Sequence, residues 1–334
     1  MKLRKVTLFI FILTLGFISC NNDDDGGSTT IVIRDRTEQQ LVDNDSILGY
    51  LETHYYNSAE FEGNSDPNIE DLMIEELLEG ETLEDGYTLL IDAVETHTLV
   101  FAETNYEYYI LRLNQGGGLE SPNFTDTVRV TYEGYTLEDD LNDLTEAFDS
   151  TVNPDTPFDL LGLIPAWRKV LPQFNTADAF EETINVDTDG DGIPDISDGT
   201  IEYKNHGTGV MFIPSGLGYF SSATTGISAY SPLIFKFELY QMFENDHDRD
   251  GIPSYLEDLN NDGEMTVNFD DLTDDTDDDT DGDGTPDYAD ADDDGDGIPT
   301  INEDLNGDGD PTNDIGSNGI PNYLDPEETE YRNN

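Results

Sequence analysis

Apolar residues change their spacing along this 334-residue chain, and each spacing predicts a different element. A nearly unbroken apolar run over residues 6–18 is followed by a polar Asp/Gly/Ser/Thr stretch over residues 21–33 with little to pack. From about Arg36 to Tyr56, Leu41, Ile47, Leu48, Leu51 and Tyr55 recur at a spacing compatible with an amphipathic helix. Within it, Asn44-Asp45-Ser46 has the composition of a helix start. An acidic, helix-prone stretch follows over residues 69–83. The runs 87–94, 99–102 and 106–113 alternate or are rich in β-branched and aromatic residues, and predict strands. Val128, Val130 and Tyr132 share one strand face, as do Leu233, Phe235, Phe237 and Leu239. Residues 164–171 are the one short apolar helical candidate among these strands. The series predicts an α+β fold, an antiparallel sheet wrapped on a short helix.

After Phe243 this patterning stops. From Asp246 onward large apolar residues are few and Arg249 and Arg332 are the only Lys or Arg, so the segment cannot build an ordinary hydrophobic core. The whole chain has 76 acids against 13 Lys and Arg, a formal charge of -63, which makes a polyanion such as nucleic acid an excluded partner. Its 10% aromatic content is too high for a wholly disordered chain, so part of it must pack. One cysteine, Cys20, excludes an internal disulfide framework and any cysteine zinc cluster.

The position of Cys20 implies another use. Lys2, Arg4 and Lys5, the apolar run and Ser19-Cys20 have the build of a secretory signal peptide, too short for a comfortable membrane span. The ending resembles the lipobox of bacterial lipoproteins, with Phe17 where that pattern favours Leu, which implies lipidation of Cys20 after removal of residues 1–19. Asn21-Asn22-Asp23-Asp24-Asp25 resembles the acidic export tag of Bacteroidetes-like lipoproteins, implying an outer-membrane lipoprotein that faces the periplasm or the cell surface. Attachment to the membrane would be through this lipid only, since nothing later is long and apolar enough to span a bilayer.

The acidic segment is a repeat. Residues 246–263, DHDRDGIPSYLEDLNNDG, match residues 292–309, DDDGDGIPTINEDLNGDG. Each places Asp at loop positions one, three and five, Gly at six and Glu at twelve. Calcium takes six to eight oxygen ligands, and this spacing folds carboxylates around one ion while glycine makes the turn. The full sets are Asp246, Asp248, Asp250, Glu257 and Asp292, Asp294, Asp296, Glu303. A weaker copy has Asp279, Asp281, Asp283, Asp287 and Asp290, and the most degenerate has Asp314, Asn318, Asn322 and Asp325. Half-motifs Asp258, Asn260, Asp262 and Asp304, Asn306, Asp308 follow the full loops. A fifth loop with Asp187, Asp189, Asp191, Asp195 and Asp198 lies upstream, within the α+β region. Pro253, Pro286, Pro299 and Pro321 occupy position eight, where paired EF-hand loops need a backbone N–H that proline lacks. The segment is therefore more similar to thrombospondin type 3 calcium repeats, in which ions replace a hydrophobic core. The competing reading is a solvated acidic linker that binds cations diffusely.

Residues 106–243 carry three ordered blocks: Val128-Arg-Val-Thr-Tyr132-Glu-Gly134 with Ala147-Phe148-Asp149-Ser150-Thr151, then Pro157-Phe158 with Ile164-Pro165-Ala166-Trp167, then residues 209–219 with the strand 227–239. Together they resemble the FKBP-type peptidyl-prolyl cis–trans isomerases. The resemblance implies a pocket of Tyr132, Phe148, Asp149, Phe158, Leu163, Ile164, Trp167, Tyr219, Ile227 and Phe235, with Trp167 as the floor and the Tyr219 hydroxyl donating to a substrate carbonyl. Five positions depart from the family pattern: Phe220 stands where it has Gly, Ser228-Ala229 where it has Pro-Pro, Ala166 where it has Gly, and Pro154 where it has an Arg partner for Asp149.

Rotation about an X-Pro bond faces a barrier of about 20 kcal/mol because twisting forfeits amide resonance. A dry aromatic pocket favours the less polar twisted amide and needs no nucleophile, metal or cofactor for the chemistry. The implied organisation is a signal peptide (1–19), a lipidated tether (20–35), an accessory segment (36–105), an isomerase domain (106–243) with an inserted calcium loop (187–198), and calcium-organised repeats (246–334). Its clients would be proline-containing polypeptides being folded in the envelope. Two alternatives stay open: a non-catalytic FKBP-fold chaperone or partner-binding protein, and a calcium-stiffened surface spacer.

Overall fold

The computed structural model describes residues 33–154, 156–186, 196–274 and 276–332, with backbone alone considered at 182–186 and 196–200. Cys20 and the loop residues Asp187, Asp189, Asp191 and Asp195 lie outside the described residues, and of Asp198 only the backbone is described. By their contacts, the residues from Arg34 onward group as one unit.

Helix α1 (Arg36–Thr53) begins at Asp35, whose carboxylate accepts the Glu38 N–H at 3.0 Å. It runs straight through Asn44-Asp45-Ser46, which the composition marked as a start. There the Asn44 amide reaches the Glu107 carboxylate at 3.3 Å, and the Ser46 hydroxyl donates to the Val42 carbonyl, so both polar side chains find partners inside a continuous helix. Next come strands β1 (His54–Tyr56), β2 (Ile74–Glu76) and β3 (Thr88–Leu89), forming a small sheet in the order β2-β1-β3, and a single turn α2 (Leu90–Ala93). Two expectations are corrected here. Residues 69–83 hold a 3₁₀ turn and β2 rather than a helix, because Ile69, Leu72 and Ile74 are all drawn into the core. Of residues 87–94 only Thr88–Leu89 is strand, and Leu90 turns inward on α2.

The main sheet is antiparallel. It comprises β4 (Glu95–Phe101), β5 (Thr104–Asn114), β6 (Thr127–Thr136), β7 (Asp149–Thr151), β8 (Phe158–Asp159), β11 (Gly207–Ile213) and β12 (Leu233–Phe243), in the order β4-β5-β11-β12-β6-β7 with β8 also paired to β6. Strands β9 (Ala179–Val186) and β10 (Ile196–Lys204) form a separate hairpin. The period-two pattern sorts the main sheet into two buried faces. Tyr108, Ile110, Val128, Val130, Met211, Ile213, Phe235 and Phe237 face α3 (Pro165–Val170), packing on Trp167, Val170, Leu171 and Phe174. Tyr109, Leu111, Tyr135, Val210, Phe212 and Ile234 face the other way and pack on Ile47, Tyr50 and Leu51 of α1 and on Leu72, Ile74 and Leu90. The N-terminal segment thus forms a third layer over the sheet. The expected antiparallel sheet on a short helix, followed by an irregular acidic C-terminal region, is the architecture observed.

Among its described residues that C-terminal region has no α-helix and no strand of the sheets, only 3₁₀ turns. Among its described residues Ile252 and Tyr323 are the only large apolar side chains fully inside. Its attachment to the sheet unit is polar: Asn245 donates to the Thr125 carbonyl at 2.9 Å, His247 Nε2 meets Asp159 at 3.1 Å, and Glu264 pairs with Arg168 and Lys169.

Candidate functional site

Pro165 opens α3 at its first turn, where a missing N–H costs nothing, and this places Trp167 against the sheet with 4% of its surface exposed. Around it the rings converge. Trp167 lies 5.0 Å from Phe235 and 5.3 Å from Tyr132 between centroids, Tyr132 is 5.9 Å from Phe158, and Phe148 is 5.6 Å from Phe235 in an edge-on contact. Tyr132, Phe148, Phe158, Leu163 and Ile164 are half-buried, whereas Ile227 and Phe235 are buried. The arrangement is a bowl with apolar walls and an indole floor. Gly134 permits it, since a Cβ there would stand 2.7 Å from the Phe235 ring and 2.8 Å from that of Phe148.

Three polar groups meet at the rim: the Tyr132 hydroxyl, the Asp149 carboxylate and the Tyr219 hydroxyl. The Tyr132 hydroxyl donates to the exposed Asp149 carboxylate at 2.8 Å. Burial, and then this carboxylate, push the Tyr132 phenol up and keep it protonated. The Tyr219 phenol, 36% exposed, is also raised, by burial first and by Asp149 second, so it too stays a donor. Eight of the ten positions implied by the resemblance form one apolar cluster, Asp149 joins it through Tyr132, and Tyr219 is linked to it by its electrostatic interaction with Asp149 and Tyr132. Of the departures, Phe220 adopts φ +47°, the left-handed region that glycine enters freely. Its ring is held there by the Arg36 guanidinium at 4.2 Å and by Tyr230 edge-on at 5.2 Å.

One residue that sequence reasoning missed is Asp43 on α1. It is buried, and its carboxylate accepts the Ser215 N–H at 2.8 Å, the Ser215 hydroxyl at 2.6 Å and the Gln39 amide at 2.6 Å. It thereby fixes the turn Ser215–Leu217 that leads into Tyr219. An Asp in a polar helical stretch carries no local mark of this long-range contact.

In the C-terminal region four groups of acids bring ligand oxygens within 4.8 Å of one another: Asp248, Asp250, Glu257 and Asp293; Asp258, Asp262 and Asp278; Asp279, Asp281 and Asp283; and Asp292, Asp294 and Asp296. The glycines at position six take φ between +92° and +103° at Gly251, Gly284, Gly297, Gly309 and Gly319, which turns each loop onto its own carboxylates. The prolines at position eight precede 3₁₀ turns that carry the ninth to eleventh positions. Glu257 and Glu303 are fully buried with both oxygens unpartnered. Burial, and then the neighbouring acids, push Glu257 up to about 10 and Glu303 up to about 8. Carboxylates so packed stay neutral or meet a cation. The donor set is all oxygen, which fits a hard cation.

Other predicted ligands are placed differently. Asp246 turns to the Arg249 and Gly251 N–H groups, and Asp304 to those of Gly307, Asp308 and Gly309. Asp287 accepts from Thr280, Asp290 from Asp292, Asn260 from Asp262 and Asn306 from Asp308. Asp314 accepts from Asn306, Asn318 donates to Asp325, and Asn322 is buried with its side-chain oxygen unpartnered. Asp278 and Asp293 join groups that the loop spacing did not assign to them.

Residues 247–304 match the protein family described as BamM C-terminal. No curated protein matches the chain. Similar solved structures include a peptidyl-prolyl cis-trans isomerase from Pseudomonas syringae, at 20% identity over 40% of this chain and 74% of that one, with a TM-score of 0.28. FkpA from Escherichia coli is 22% identical over 45% of this chain and 51% of its own, with a TM-score of 0.30. The three FKBP domains of wheat FKBP73 are 12% identical over 46% of this chain and 52% of theirs, with a TM-score of 0.31. The matches span about half the length of the last two.

Proposed function

We propose that this chain is a peptidyl-prolyl cis–trans isomerase, anchored through lipid at Cys20, that assists folding of exported or envelope proteins. The observation that carries the reading is the bowl of Tyr132, Phe148, Phe158 and Phe235 over Trp167, with the Tyr219 hydroxyl and Asp149 at its rim. A proline ring seats on the indole, the walls strip water from the preceding amide, and the Tyr219 O–H holds the carbonyl. Desolvation disfavours the planar, more polar amide relative to the twisted one. Leu163, Ile164 and Ile227 complete the apolar lining.

The C-terminal repeats are proposed to bind calcium structurally, supported by the four acid groups and the unpartnered buried oxygens. The family match over residues 247–304 supports an outer-membrane lipoprotein context facing the periplasm or cell surface. Among the described residues no helix is long and apolar enough to cross a membrane.

The test is isomerisation of a proline tetrapeptide by the mature protein, with refolding of a non-proline-limited client as a parallel chaperone readout. Tyr219→Phe and Asp149→Ala are expected to lower the isomerase rate at least tenfold and leave the chaperone readout intact. A wild-type protein without measurable isomerase activity overturns the enzyme reading in favour of a binding role.

A further inference from the structure

The group Asp248, Asp250, Glu257 and Asp293 takes three residues from the first full loop and one from the second. Asp293 stands between Asp292 and Asp294, both of which belong to the second loop's own group. Its side chain is 1% exposed, and neither of its oxygens has a hydrogen-bond partner. Glu257, 0% exposed, also has both oxygens unpartnered, and Asp248 and Asp250 each have one such oxygen, Oδ2. The four residues thus carry six buried oxygens without a donor, and one oxygen of each lies within 4.8 Å of the others; carboxylates that bind through both oxygens bring such a set to the lower end of the six to eight that calcium takes. Asp246, the expected first ligand, is occupied by backbone N–H groups of its own loop.

We infer that Asp293 closes the calcium site of the first loop, so that one ion ties the two full loops together and the two ions are bound cooperatively. The inference rests on the calcium reading of the repeats. The coupling is mechanical. Consecutive residues Asp292, Asp293 and Asp294 alternate between two ions, so ordering this stretch at one site positions a ligand for the other. A loss at the second site therefore weakens the first, and the reverse holds equally. The ion is calcium rather than magnesium, because four carboxylates gathered on one ion leave few positions for the waters that magnesium retains.

The experiment is calorimetric calcium titration of the mature full chain, together with hydrogen exchange at 248–257 and 292–303. The wild type is expected to bind with positive cooperativity and to protect both segments together. Asp293→Asn should lose one ion or weaken it at least tenfold, remove protection from 248–257, and abolish the cooperativity. Glu257→Gln should match it, and the double variant should lose no more than either single one. Asp296→Asn should empty the second site and weaken the first. If the wild type binds no calcium, the reading of the repeats falls and this inference with it. If the wild type binds and Asp293→Asn leaves stoichiometry, affinity and protection unchanged, only the shared site falls. The thermal transition of the sheet, whose cores contain none of these residues, separates a local loss from general misfolding.

Discussion

Lys169 Nζ lies 2.6 Å from the carboxylate of Glu264, and Arg168 holds the same carboxylate at 2.5 Å. Both cations belong to the helix that carries Trp167, and Glu264 directly follows the Asp258–Asp262 half-motif. The Lys169 ammonium also reaches the Gly263 carbonyl at 2.6 Å. The repeat region is therefore pinned to the element that floors the bowl. Replacing Glu264 by Gln leaves two partly buried cations short of a partner, on the scale of about 1.5–3 kcal/mol. Limited proteolysis should then cut the region around residue 264 several-fold faster than in the wild type.

Chelation separates the two halves of the molecule. Both hydrophobic cores lie within residues 47–242, whereas among the described residues of the repeats Ile252 and Tyr323 are the only large apolar side chains inside. EDTA should abolish protease resistance across residues 246–332 while the sheet keeps a cooperative thermal transition. Unchanged resistance would remove the calcium reading.

Asp43→Ala leaves the Ser215 N–H buried without its acceptor, at a cost of about 1–3 kcal/mol. Because the same turn leads into Tyr219, isomerase activity should fall more than stability alone explains. Denaturant unfolding beside the tetrapeptide assay checks both.

Burial raises the pKa of Asp43 above its ordinary value. The stability it contributes is therefore full below its unfolded pKa and declines as pH rises through the higher folded value. Asp43→Asn retains an acceptor and carries no charge. The stability gap between wild type and this variant should narrow as pH rises above the ordinary aspartate value of about 4, measured by denaturant midpoints.

Gly134→Ala forces a methyl into the rings of Phe148 and Phe235. Overpacking of this kind costs about 1–3 kcal/mol. The near-ultraviolet circular dichroism of the ring cluster should change with it, and isomerase activity should fall.

Much of this was legible because it is local. Val128, Val130 and Tyr132 alternate as β6 requires, and residues 164–171 read as the helix on which Trp167 sits. The loops declared themselves through glycine and proline in register. What stayed hidden depends on contacts between distant segments. Helix α1 overrides the start signal at Asn44 because Asn44 is satisfied by Glu107 of β5 and Ser46 by the helix itself, and Asp43 acquires its role only from Ser215. Asp293 lies in a run of three aspartates, where spacing cannot tell which carboxylate faces which loop.

For a chain exported as proposed, the shared site has a further consequence. A first loop whose last ligand comes from a later repeat cannot close while the chain is still emerging from a translocation channel. The acidic segment would remain extended and mutually repelling until its far end arrives in a compartment where calcium is plentiful. An extended and a rigid form are then two states of one segment, switched under that proposal by the calcium around it.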